Sequence, residues 1–236
     1  MKTRLKNSNK ILLALFALLL LCEIVAVADI GLKIRKFTNS DAGSSPSIEN
    51  PISKDLPDFH SIDVSAPFHL SLKHSDKSQI LFLKDDNTSD SIKTVVENGI
   101  LYVKGTYQGR LETSAIEIYT PDIRKVIITG SASINLRSFA LDSLCIDLKN
   151  GASIYCNDLN VDYLSLKAQD GAQFSVYKGS IGHLSTSLAN RVNADLGDTD
   201  ISYLSGELKD RSQLYLKGGV DSISARIDKR AKLNKY

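Results

Sequence analysis

The chain has 236 residues, of which 42% are hydrophobic but only 7% aromatic, with no Trp. Lys and Arg number 29 against 27 Asp and Glu, a formal charge of +2, so composition gives no case for a nucleic-acid partner. Three cysteines, with no CxxC and no Cys/His pair at zinc spacing, exclude a disulfide-stapled scaffold and a structural zinc site.

Lys2, Arg4, Lys6 and Lys10 form a basic head, and Ile11 to Leu21 is an unbroken apolar run. A basic head that stays on the cytoplasmic side, ahead of a stretch that partitions into lipid, is what export machinery reads. Two readings of residues 1–30 stand open. The Ala26-Val27-Ala28 pattern allows cleavage before Asp29, which makes the segment an export signal. Alternatively Ile11 to Ala28 persists as a transmembrane signal-anchor helix, since that stretch reaches about 27 Å, just enough for a bilayer core. Cys22 follows Leu20-Leu21, where a lipid-attachment site needs a small residue, so it reads as one more apolar side chain. Either way the remainder is expected in the cell envelope, periplasmic or otherwise outside the cytoplasm, secreted or anchored. Residues 31–57 are expected to be a flexible linker, because 38–57 combines three prolines with Ser and Asn and few large apolar residues.

Beyond the linker the sequence repeats. Gly130-Ser131-Ala132-Ser133-Ile134, Asn150-Gly151-Ala152-Ser153-Ile154, Asp170-Gly171-Ala172-Gln173-Phe174, Asn190-Arg191-Val192-Asn193-Ala194 and Asp210-Arg211-Ser212-Gln213-Leu214 start 20 residues apart. Lys229-Arg230-Ala231-Lys232-Leu233 follows after 19. Within each repeat the apolar residues alternate, as in Leu144/Ile146/Leu148 and Ile154/Cys156, which is the period of strands with one face inward. The pairs Asn150-Gly151 and Asp170-Gly171, and the matching Asn190 and Asp210, supply the positive φ that a sharp bend needs. Twenty residues at strand rise make a perimeter of about 65 Å, which suits a filled, three-faced coil. The leucine-rich repeat, the competing architecture of this period, needs an L-x-x-L-x-L pattern that is absent. The fold class is therefore all-β, a parallel β-solenoid (β-helix) over residues 58–236. Residues 58–120 read as less regular strands forming a terminal cap, with a turn at Glu97-Asn98-Gly99-Ile100. At the far end Lys229, Arg230, Lys232 and Lys235 read as like charges that discourage another chain from adding a strand.

The strings Phe59-His60-Ser61-Ile62-Asp63-Val64, Pro67-Phe68-His69-Leu70-Ser71-Leu72, Val96-Glu97-Asn98-Gly99-Ile100-Leu101-Tyr102-Val103 and Ile118-Tyr119-Thr120-Pro121-Asp122-Ile123, with the repeated turns Gly130-Ser131-Ala132-Ser133-Ile134 and Asn150-Gly151-Ala152-Ser153-Ile154, resemble a bacterial family of unknown function. It is the putative auto-transporter adhesin, head GIN domain family. The resemblance implies a β-solenoid behind an export signal or anchor and implies no reaction. The chain departs from the family pattern at Arg191, Arg211 and Arg230, where Gly is expected. No translocator barrel is expected within these 236 residues, so the auto-transporter half of the label is not carried over.

On a filled coil, any chemistry falls to the columns of outward residues. Asp147, Lys167, Ser187, Glu207 and Arg226 alternate in sign, which suggests a cross-coil ladder of ion pairs more than a paired-carboxylate site. Asn150, Asp170, Asn190 and Asp210 are expected to cap the bend backbone; a calcium role lacks the GGxGxD run. Tyr163, His183 and Tyr203 form an aromatic column that either stacks as an ordinary ladder or, if exposed, offers sugar rings a surface. His60, His69 and His74 are expected to point outward singly, and no metal site or cofactor is expected. Cys145 should face outward and Cys156 inward, so no disulfide joins them. With no G-x-S-x-G and no assignable Asp/His partner, no catalytic residue is assigned.

The first expectation is thus a non-catalytic envelope protein, an adhesin-like or scaffold module whose partner is a protein or glycan surface, with the membrane engaged through the N-terminal segment if it is uncleaved. The rivals are a polysaccharide-active β-helix enzyme and an accessory subunit of a membrane complex. A groove gathering two or more carboxylates favours the enzyme, and a groove-free face favours binding.

Overall fold

A computed structural model describes residues 51–65, 67–82, 92–105 and 116–236. The segment expected to be a signal or anchor and the first part of the linker lie outside the described residues. Among those residues there is no helix, and the chain forms a parallel β-solenoid with coils of about 20 residues.

The regular coils follow the repeat. β8 (Lys125–Thr129), β9 (Ser133–Arg137), β10 (Phe139–Lys149), β11 (Ser153–Gln169), β12 (Gln173–Ala189), β13 (Asn193–Leu196) and β14 (Asp198–Leu208) stack in parallel. Residue pairs such as Leu144↔Leu164, Leu164↔Leu184 and Leu184↔Leu204 keep the 20-residue offset. β15 (Gln213–Leu216), β16 (Val220–Ile227) and β17 (Lys232–Lys235) complete the stack, and the last step shortens to 19, pairing Leu204 with Ile223 and Leu214 with Leu233. Each coil has three faces. The first carries Leu144–Lys149 and its equivalents, the second Ser153–Cys156, and the third Leu159–Val161. Inward columns including Ile134/Ile154/Phe174/Ala194/Leu214 are sealed from solvent, so one apolar core runs up the axis.

The bends have the expected geometry. Asn150, Gly151, Asp170 and Gly171 all take positive φ, between 58° and 80°. Asn190, Arg191, Asp210 and Arg211 do the same, with Arg191 at 64° and Arg211 at 65°. Replacing the expected Gly by Arg at these two bends therefore leaves the left-handed conformation in place, at a cost of about 1 kcal/mol per residue. Backbone bonds knit successive bends, from Gly151 N–H to the Asp170 carbonyl (3.0 Å) and from Gly171 N–H to the Asn190 carbonyl (2.9 Å).

Two expectations are corrected at the N-terminal end. The linker does not run to residue 57: Ile52–Asp55 forms β1, because its backbone finds an antiparallel partner, β4 (Gln79–Phe82). The strands β2 (Ser61–Ser65) and β3 (His69–His74) are not an irregular cap but a true coil, lying directly beneath β8 and β9 in parallel register. Beneath that coil lie β6 (Ile100–Gly105) and β7 (Ile116–Thr120), parallel to β2 and β3. The chain thus builds its second layer first, folds back under it, then steps over it. The step is held by Ile123, fully buried, and by Thr120 Oγ1, which donates to the Asp122 carbonyl at 2.8 Å and lies 3.3 Å from that of Phe59. Antiparallel strands close this end: β4 on β7, and β5 (Ile92–Glu97) on β6 through the hairpin turn at Asn98 and Gly99, both at positive φ.

Candidate functional site

The residues that form a site are set by the strand alternation. Ile181 and Leu184 point inward, so the two residues between them, Gly182 and His183, both lie on the outside of a corner. The same holds one coil down for Asp162 and Tyr163, and one coil up for Ser202 and Tyr203. Parallel register then aligns Tyr163, His183 and Tyr203 in one column.

The structure brings these three together. The His183 ring lies 4.8 Å from each tyrosine centroid, with interplanar angles of 69° and 79°. The column is therefore edge-to-face, in which the positive edge of one ring meets the negative face of the next. His183 Nε2 is 2.9 Å from Ser205 Oγ, a hydrogen bond that fixes the imidazole between the phenols. Tyr163 and Tyr203 remain 43% and 37% exposed, which leaves their phenol groups accessible.

Beside the column lies an open notch of about 490 Å³. Its floor is made by Gly182 and Ser202 at the corner and Ser180 and Gly219 next to it, while Asp162, Asp200 and Asp221 stand around it. The notch exists because these floor residues are small. At Gly182 a Cβ would come 2.6 Å from the Asp162 carbonyl, so the backbone there passes too close for any other residue. Asp200 Oδ1 accepts from the Gly219 N–H at 3.0 Å, which ties one carboxylate to the coil above. Sequence reasoning missed this notch. The signal was available in the column Asp162, Gly182, Ser202, Asp221, whose small members sit between acids.

Other sequence-derived candidates separate. Two pairs of bend side chains bond across coils, Asn190 Nδ2 donating to Asp170 Oδ1 at 2.8 Å and Arg230 to Asp210 Oδ1 at 3.0 Å, while at the last bend Asp228 Oδ1 accepts from the Lys229 backbone N–H at 2.7 Å. The mixed-sign column pairs along its own strands, Asp147 with Lys149 and Glu207 with Lys209, because residues two apart on one face are within reach of a lysine stem. The histidines are dispersed: His60 bonds Ser61, His69 bonds Ser133, and His74 meets Phe139 edge-on. Among the described residues no group of three or more His, Cys, Asp or Glu is placed to hold a metal ion. Cys145 and Cys156 are free; Cys156 is enclosed, and burial pushes its thiol far above the ordinary range, which keeps it unreactive.

The model of the putative auto-transporter adhesin, head GIN domain family matches residues 58–204. The crystal structure of a putative adhesin from Bacteroides fragilis shares 15% identity at a TM-score of 0.55, covering 82% of this chain and 100% of its own. That of a putative lipid binding protein from Parabacteroides distasonis shares 16% identity at a TM-score of 0.51, covering 79% and 97%. At such identities the likeness is one of fold. No curated protein matches the chain.

Proposed function

Since this chain belongs to the putative auto-transporter adhesin, head GIN domain family, whose description points to an adhesin-like protein of the cell envelope or exterior, we propose that it is a non-catalytic binding module displayed beyond the cytoplasmic membrane, and that its partner is a glycan surface. The observation that supports this is the exposed Tyr163–His183–Tyr203 column running beside a polar notch. Sugar rings offer C–H faces to aromatic groups and hydroxyls to carboxylates, and the two are adjacent here along three successive coils. The stacked strands hold both columns at fixed spacing, which favours many modest contacts along a repeating polymer over one deep pocket.

A glycan array probed with the full chain tests this reading. Binding should fall at least about ten-fold on Tyr163→Ala with Tyr203→Ala, the loss typical of truncating two contact aromatics. Undiminished binding by the double variant discards the column. The polysaccharide-active rival meets the carboxylate criterion set from the sequence, since Asp162, Asp200 and Asp221 all line the notch, although Asp200 is already tied to the Gly219 N–H. Release of new reducing ends from array-positive oligosaccharides, abolished by Asp200→Asn, would establish that rival instead.

A further inference from the structure

The two ends of the solenoid are finished differently, and the C-terminal end carries a complementary pattern. In β14 the inward residues Leu204 and Leu208 are 0% exposed, but their equivalents in β16, Ile223 and Ile227, are 38% and 42% exposed. Ala225 between them is part-exposed, and among the described residues no strand pairs with the outer edge of β16. Asp228 N–H donates downward to the Leu208 carbonyl. Because backbone groups alternate along a strand, the N–H and C=O of Ile223, Ala225 and Ile227 face the free edge, on the residues whose side chains are also uncovered.

We propose that a second copy of this chain covers this end, β16 pairing antiparallel with β16 of the second copy in a register centred on Ala225. That register sets Ala225 against Ala225 and Ile223 against Ile227, so the free backbone groups point at one another and the apolar residues continue the core across the interface. It also sets Asp221 against Lys229, and Ser224 against Arg226. Shifting by one residue turns the apolar residues to the wrong face. Shifting by two puts Asp221 against an isoleucine or an alanine.

The charge distribution fits the same two-fold axis. Asp221 and Asp200 stand at the corner where the first face begins; at the corner where it ends Arg230 is paired with Asp210 of its own chain, Asp228 accepts from the Lys229 N–H, and the Lys229 ammonium is the cation that serves a second copy. A two-fold axis through β16 brings Lys229 of each copy onto Asp221 at the acidic corner of the other. The lysines of β17, Lys232 and Lys235, then lie over the third face of the second copy and not over its own β17. They act against stacking on the second face, where like charges would meet, and leave the β16 axis as the favoured one. The N-terminal end shows that antiparallel strands do close sheets of this kind, through β5 on β6 and β4 on β7.

Sedimentation velocity on the full chain in mild detergent tests the proposal, with circular dichroism confirming that each variant is folded. The expected result is a dimer at micromolar concentration that Ile227→Lys converts to monomer. Lys229→Asp should weaken it about ten-fold, and adding Asp221→Lys to that variant should restore it, because the exchange rebuilds the pair with its signs reversed. A chain that stays monomeric at tens of micromolar overturns the proposal. So does a dimer indifferent to Ile227→Lys, which would be held elsewhere, or a double variant no tighter than Lys229→Asp alone.

Discussion

The two ends of this solenoid face the same physical problem and meet it differently. A stack of parallel strands leaves unpaired backbone and an open core at each end. At the N-terminal end the chain returns on itself, and antiparallel β4 and β5 bring Ile80 (0% exposed), Phe82 (5%) and Ile92 (6%) over the core. The outermost strand there, β1, is exposed along its whole length and carries Lys54 and Asp55, which suit an edge facing water. At the C-terminal end β16 keeps its apolar alternation although nothing among the described residues lies above it. One end is closed by its own sequence, and the other retains the chemistry of an interior coil.

The largest effect expected from that contrast is on stability. Ile80→Ala should cost about 2–5 kcal/mol, since it hollows a sealed layer, whereas Ile223→Ala should cost under about 1 kcal/mol in a protein held monomeric by Ile227→Lys. Urea denaturation measures both, and equal losses would break the comparison. Next comes Gly206→Ala, one coil below the open end. Gly206 has φ of +114° and packs so closely on the Thr186 carbonyl that a Cβ would overlap it. The Thr186 hydroxyl, itself buried, donates to the Ser205 carbonyl, so the strand is held in that bent path. The substitution should cost about 2–3 kcal/mol from overpacking and backbone strain together. A neutral result would show that the C-terminal coils are looser than the fold implies.

The closed end should also respond to acid. Burial works against the charge of Glu117 on β7, but hydrogen bonds from Lys73 and Tyr119 and the charges of Lys73 and Arg137 outweigh it, so its pKa lies below the ordinary 4.5. A carboxylate with a depressed folded pKa stabilises the protein above the unfolded value, and that contribution is lost as pH falls through the folded one. Thermal unfolding should therefore show a loss below about pH 4.5. Lys73→Met should remove part of that loss and cost about 1 kcal/mol at neutral pH, the scale of a partly exposed ion pair. The smallest effect expected is a gain: Arg211→Gly, at a bend with φ of 65°, should stabilise by about 0.5 kcal/mol, relief of left-handed strain being partly offset by glycine's greater freedom when unfolded. A loss instead would mean that the arginine side chain contributes more than its backbone costs.

Much of the regular region was legible in residues. Asn150-Gly151 and Asp170-Gly171 announced their bends because few residue types tolerate positive φ, and Leu144/Ile146/Leu148 announced their facing because alternation is a local property of a strand. The aromatic column was legible for the same reason, since a constant offset of 20 aligns Tyr163, His183 and Tyr203 whatever the details of the coil. Its edge-to-face geometry was not, because ring orientation depends on the Ser205 hydroxyl beside His183. Nor was the notch, which arises from small residues on neighbouring coils. The charged column misled for a related reason: lysine stems are long enough to choose between a neighbour across the coils and one along the strand, and Asp147 and Glu207 pair along the strand.

By itself the sequence determined the winding: recurring bends and alternating apolar residues are short-range constraints, and repeating them at one interval leaves the chain a single way to bury its core. Only the tertiary structure decided the order of the layers at the N-terminal end, where β2 lies beneath β8 and above β6. That order depends on contacts between segments far apart in the chain, to which no repeat gives an address. The open face of β16 was decided at the same level, because exposure is a property of what lies above a strand and not of the strand's own residues.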